Sequence, residues 1–159
     1  SRGGVQSMFF TQAIVILALS LGGLLTALGI LPALLSGIKD TLTTSGRAIF
    51  AAAMSALSIN VLIGEQYLSI LLSGTAFRST FERLNLHPKN LSRTIEDAGT
   101  VINPLVPWSV CGVFISQALG VPVLDYLPYA FFCYLSLLLT LLFGFTGVTI
   151  SKKGDNANI

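Results

Sequence analysis

Residues 86–112 read LHPKNLSRTIEDAGTVINPLVPWSVCG, and this stretch decides the architecture. It begins polar: Pro88 and Asn90 are helix-start signals, and Arg93, Glu96 and Asp97 follow. The chain then enters apolar sequence without a turn signal, and no charge occurs from 98 to 124. Pro104 and Pro107 interrupt that apolar run. Each removes a backbone donor and clashes with the preceding turn. Irregular backbone at membrane depth survives only where protein or a water-lined cavity covers it. A carboxylate, a proline-broken helix and a long apolar tract in one segment predict an interrupted membrane helix.

The rest of the chain fits that setting. Hydrophobic residues make up 53% and charged residues 10%, against about 25% charged in a typical soluble domain. Uncharged tracts cover 3–38, 48–64, 98–124 and 126–151. A bilayer core about 30 Å thick needs about 20 apolar helical residues to cross it. Three of the tracts exceed that. The tract 48–64 needs the further uncharged run 66–77, with Glu65 caught between them. The expected fold is therefore all-α: a polytopic transmembrane helix bundle of about four segments, 8–31, 47–77, 90–119 and 126–150. Two segments are expected to be discontinuous, near Gly64-Glu65 and near Asn103–Pro107. Residues 1–150 form the membrane domain and 151–159 a polar tail. Pro32 is expected to open a short continuation over 33–44, and the fourth segment reads as a plain Leu/Phe-rich span.

Ala48, Ala52, Ala56, Asn60 and Gly64 recur every four residues, a small-residue stripe that lets helix backbones approach closely in lipid. It leads to Gly64-Glu65, where a glycine followed by a carboxylate predicts a break. Net charge is +2. The basic residues sit between apolar tracts and form no stripe, so nucleic acid is excluded as a partner. Cys111 and Cys133 lie inside apolar tracts and lack metal-ligand spacing. His87 is the single histidine. With the chain starting Ser-Arg-Gly-Gly, the expected partners are the lipid bilayer and a missing N-terminal half of the same protein, with a homodimer left open. If all four segments cross, Arg2, Arg78, Arg83, Lys89, Arg93, Lys152 and Lys153 share one side, opposite Lys39 and Arg47. The positive-inside rule then places loop 78–90 and the C-terminus in the cytoplasm. A re-entrant hairpin, in 47–77 or 90–119, would break that alternation, so the tally speaks against one.

Glu65 and Asp97 are the residues that carry chemistry. A carboxylate in hydrocarbon costs about 2.5–3.5 kcal/mol on insertion scales, so such groups normally face a cavity, an ion or a partner. Each stands by a helix interruption among oxygen-bearing side chains. Asn60 and Gln66 lie near Glu65, and Thr100, Asn103 and Ser109 near Asp97. Hard cations take oxygen ligands, and broken helices add free carbonyls at mid-membrane. Desolvation disfavours an ionised carboxylate and a bound cation favours it, so one group holds either a proton or a sodium ion. That is the minimum chemistry of a cation/proton exchanger. Plainer readings stand beside it. Asp97 follows Arg93 by one helical turn and would then only pair with it. Glu65 would sit at a helix end near the surface, Asn103 would merely cap the break, and Glu96 and Asp125 would be interfacial or loop charges. An auxiliary membrane subunit would not need two embedded carboxylates. An intramembrane aspartyl protease would need a dyad that Asp97 and Asp125 do not form in sequence. A channel could line its pore with the same breaks.

Two runs carry a family resemblance. GEQYLSILLSGTAF at 64–77 and LHPKNLSRTIEDAGTVINPLVPWSVCG at 86–112 resemble the C-terminal half of the NhaC family of sodium/proton antiporters, and the opening RGGVQSM resembles a stretch ahead of a membrane helix there. Glu65, Gln66, Asp97, Thr100, Pro104, Pro107 and Trp108 fall on family motif positions. The resemblance implies Na⁺/H⁺ exchange without a cofactor, no enzymatic activity, a multi-pass protein of the bacterial inner membrane, and a full length about three times greater. It also implies relatives that couple sodium to organic acids such as malate and lactate, an alternative activity. One departure is Ser109-Val110, where the family usually shows Asn then Thr or Ser after the tryptophan. Ser109 keeps an oxygen and Val110 does not.

Overall fold

The computed structural model describes residues 5–30, 33 and 42–153. The expected continuation over 33–44 falls largely outside them, as do Arg2, Lys39 and 154–159. Among the described residues the regular structure is helical, apart from an isolated bridge between Leu86 and Lys152. Helix α1 is Val5–Ala27, α2 Ser45–Ile63, α3 Gln66–Arg83 and α4 Pro88–Ile95. A π-helical turn, Glu96–Thr100, and a 3₁₀ turn, Asn103–Leu105, lead to α5, Val110–Leu119. The short α6, Val123–Tyr126, and a 3₁₀ turn, Leu127–Tyr129, precede α7, Phe131–Thr146. Among the described residues two helices, Met8–Ala27 within α1 and α2, are long and apolar enough to cross a membrane. The number rises to four when the bent pairs Pro88–Leu105 with Val110–Leu119 and Val123–Tyr129 with Phe131–Thr146 each count as one span.

The break at Gly64-Glu65 reverses the chain. Ser69 Oγ on α3 donates to the Ala56 carbonyl of α2 at 2.6 Å. At the other end, the Arg83 guanidinium donates to the Leu42 carbonyl at 3.0 Å. α2 and α3 therefore run antiparallel as a hairpin with its base at Leu42–Arg83. The alternation expected from four simple crossings does not hold, because Arg47 lies at the same end as loop 78–90. A glycine break reads alike in sequence whether the helix bends or doubles back.

The stripe explains why the hairpin closes. Ala48, Ala52, Ala56 and Asn60 have no exposed surface, and Phe77, Phe81 and Ala98 pack into the same core. Without bulky side chains on that face, α3 and the π-helical turn approach α2 closely. α7 crosses the start of α2, where a Cβ on Gly144 would stand 2.8 Å from Ile49. α7 is not one plain span from 126. The segment bends by 56° ahead of Phe131, where Pro128 lies in the 3₁₀ turn.

α1 fixes the depth of the hairpin tip. Thr11 Oγ1 donates to Gln117 of α5 at 3.3 Å, and a Cβ on Gly22 would overlap Leu68 in the first turn of α3. Thr11 to Gly22 is ~16 Å along a helix. The tip thus lies beside the apolar run Met8–Ala27, and α5 continues past it. At the opposite end the C-terminal segment is zipped to the loop before α4: His87 N donates to Ser151 O at 3.0 Å and Lys153 N to Asn85 O at 2.9 Å.

Candidate ion site at two helix breaks

The two predicted interruptions meet. Gly64 ends α2 in the left-handed region at φ 75, and its N–H donates to Asn60 O at 2.7 Å. A Cβ there would stand 3.0 Å from the Trp108 carbonyl and 3.2 Å from Ser109 Cα, so both conformation and space demand glycine. On the other side, Ser109 caps α5. Its Oγ accepts from Gly112 N at 2.9 Å and donates to Asn103 O at 2.6 Å. Val110 N donates to Gly64 O at 3.0 Å, and Trp108 Nε1 to Val61 O at 2.7 Å. Groups left free at one helix end are satisfied by the other break, as burial in an apolar layer requires.

Two asparagines brace the junction from within. Asn60 Nδ2 donates to Gly99 O at 2.6 Å, and Asn60 Oδ1 accepts from Asn103 Nδ2 at 2.6 Å. Asn103 Oδ1 accepts from Cys111 N at 3.2 Å. Neither side chain is exposed. The structure thus brings Asn60, Asn103 and Ser109 into one network, with their oxygens already engaged in holding α2, the π-helical turn and α5 together. Gln66 joins at the margin through a Cys111 Sγ contact of 3.9 Å. Glu65 is buried and N-caps α3, its Oε2 accepting from Leu68 N at 2.9 Å. Its place is the hairpin tip, away from the charged end. Thr100 Oγ1 is buried without a hydrogen-bond partner.

Asp97 stands apart from that network. It lies in the π-helical turn and faces α7, where Oδ1 accepts from Ser136 Oγ at 2.5 Å and Oδ2 accepts from Thr140 Oγ1. The helix ion pair with Arg93 is not formed. Arg93 instead donates to Thr149 Oγ1 at 3.0 Å and lies over the Phe143 ring, 5.8 Å from its centroid. Among the described residues the ion pair is Arg78–Glu82, on the surface. Glu96 is exposed, and Asp125 is exposed in α6. Sequence reasoning missed Ser136, Thr140 and the Gly99 carbonyl. The only signal for the first two was a pair of hydroxyls one turn apart in a Leu/Phe-rich run. Between them the two centres hold carboxylate, hydroxyl, amide and carbonyl oxygens, a donor set suited to hard cations.

The profile of the Na⁺/H⁺ antiporter family matches residues 1–148. The chain is 49% identical to the Na⁺/H⁺ antiporter NhaC of Alkalihalophilus pseudofirmus over 99% of its length and 34% of that protein. It is 45% identical to the Na⁺/H⁺ antiporter NhaC of Bacillus subtilis over 91% of its length and 32% of that protein. It is also 42% identical to the arginine/ornithine antiporter ArcD of Halobacterium salinarum over 96% of its length and 32% of that protein. The chain spans about a third of the length of these relatives. No solved structure matches it. Close identity to two antiporters and a profile match over nearly the whole chain make it a member of the Na⁺/H⁺ antiporter family.

Proposed function

We propose that the protein containing this chain exchanges Na⁺ for H⁺, with Asp97 as the group that holds either ion and Glu65 as a second carboxylate at the hairpin tip. The observation that carries this reading is the setting of Asp97. Both its oxygens meet hydroxyls of α7, and the nearest arginine in sequence, Arg93, is engaged elsewhere. Asp97 is partly buried, and a partly desolvated carboxylate without a basic partner favours the uptake of a proton or a cation; the two occupancies exclude each other. The closed junction at Gly64 and Ser109 gives the second support: a pair of broken helices packed together can move as a unit while their backbone groups stay satisfied. Residues of the absent N-terminal part complete the site in this reading.

Orientation follows from the same end of the molecule. All Lys and Arg of the described residues, Arg47, Arg78, Arg83, Lys89, Arg93, Lys152 and Lys153, belong to the base half of the hairpin, to α4 or to the adjoining C-terminal segment. The positive-inside rule assigns that end to the cytoplasm of a bacterial inner membrane, with the α2–α3 hairpin re-entering from it.

A second reading is exchange of an organic solute, favoured by the relative named as an arginine/ornithine antiporter and by Val110, which offers no side-chain oxygen beside Ser109. Everted vesicles holding the full-length protein separate the two. Proton movement driven by a Na⁺ gradient with no organic solute present supports the first reading. Proton movement only after an amino acid or organic acid is added supports the second.

A further inference from the structure

Serine and threonine inside membrane helices normally turn their hydroxyl onto the carbonyl one turn back. This chain does so repeatedly. Ser20 donates to Ile16 O at 2.7 Å, Thr26 to Gly22 O at 2.8 Å, Thr94 to Asn90 O at 2.7 Å, and Thr146 to Leu142 O at 2.9 Å. Ser136 and Thr140 do not. Both turn away from their own helix to donate to Asp97, 39 and 43 residues distant in sequence. They stand one turn apart on α7, and Thr140 is only 3% exposed.

We propose that Ser136 and Thr140 are ligands of the transported sodium ion, completing with Asp97 a three-residue oxygen site between the π-helical turn and α7. The inference rests on the Na⁺ reading of Asp97 given above and adds the second helix to it. In this arrangement each hydroxyl spends its proton on the carboxylate, so its lone pairs point elsewhere. When Na⁺ arrives between Asp97 and α7, the cation takes over the carboxylate. Each side chain then turns about its Cα–Cβ bond so that its hydroxyl donates to the carbonyl one turn back, Phe132 for Ser136 and Ser136 for Thr140. Its oxygen lone pairs turn to the ion. No hydroxyl proton is lost, and no donor is left without an acceptor, because the helix supplies the alternative that other hydroxyls of this chain already use. That ready alternative keeps the exchange of partners inexpensive, since a stranded buried donor would cost about 1–3 kcal/mol. Oxygen ligands from two separate segments also give the ion a means to draw α7 towards the π-helical turn.

The test is ²²Na⁺ binding to purified full-length protein at one fixed pH, alongside Na⁺-driven proton movement in vesicles. Ser136→Ala and Thr140→Val each remove one ligand. They should weaken Na⁺ binding at least tenfold in the protein that remains folded, and Thr140→Ser should bind like the parent. Unchanged Na⁺ affinity in both variants overturns the proposal, as does a loss of affinity that only follows a loss of folded protein and that Thr140→Ser does not rescue. If the parent binds Na⁺ and these variants weaken it, but no proton movement accompanies Na⁺, the site stands and the exchange reading falls.

Discussion

The Val110 N–H donates to the Gly64 carbonyl at 3.0 Å, so the start of one broken helix closes the end of another. Gly64→Ala strikes this contact twice. It forces a left-handed backbone on alanine, costing about 1–2 kcal/mol, and sets a methyl group 3.0 Å from the Trp108 carbonyl. Gly120 has a similar φ of 70 with nothing within 4 Å, so Gly120→Ala carries the backbone strain alone. Thermal denaturation of the full-length protein should rank Gly64→Ala clearly below Gly120→Ala. Equal loss in the two would mean that the two breaks do not pack together.

The Asn60–Asn103 pair makes a second prediction. Asn60→Leu strands the Asn103 amide and the Gly99 carbonyl in a buried place, at about 1–3 kcal/mol for each stranded group. Removing Asn103 as well leaves fewer orphaned groups, so the double variant Asn60→Leu/Asn103→Leu should be less damaged than the sum of the singles. Melting temperatures of the three variants measure this, and strict additivity would show that the pair is not coupled.

Topology offers a third. Single cysteines in place of Thr44 and Lys89, in protein whose Cys111 and Cys133 have been replaced, should both resist an impermeant thiol reagent applied to intact cells. Both should react in everted vesicles. Labelling of position 44 from outside while position 89 stays protected would restore four simple crossings and remove the hairpin.

Much of this architecture was readable in the residues, and the limits are physical. Pro104, Pro107 and Gly64-Glu65 announced two breaks, because proline and glycine act on their own backbone. The Ala48–Gly64 stripe announced a close helix contact. The partner of that stripe was not legible, since the fold-back depends on Ser69 meeting Ala56 and Arg83 meeting Leu42, contacts between different helices. Pro128 carried the bend before α7, but beside Asp125 and Pro122 it reads equally as part of a loop. In the candidate site, Asn103 and Ser109 lie in one network, as their nearness in sequence suggests, but they meet Asn60, which the sequence groups with Glu65. Asp97 was grouped with them because nearness in sequence was the only guide. The π-helical turn at Glu96–Thr100 accompanies its separation: the Gly99 carbonyl faces α2 while the Asp97 side chain faces α7. Ser136 and Thr140 stayed hidden because a hydroxyl in a membrane helix ordinarily satisfies itself on its own backbone.

The role of Asp97 is the claim on which the rest depends, and Na⁺-dependent proton efflux from everted vesicles, normalised to folded full-length protein, tests it most directly. Asp97→Asn keeps the size and one oxygen but neither titrates nor carries charge. Exchange should fall to the background of vesicles lacking the protein, while Asp97→Glu keeps part of it and Arg93→Gln most of it. Parental exchange by Asp97→Asn would take Asp97 out of the ion path and leave the hairpin-tip carboxylate of Glu65 as the exchanging group.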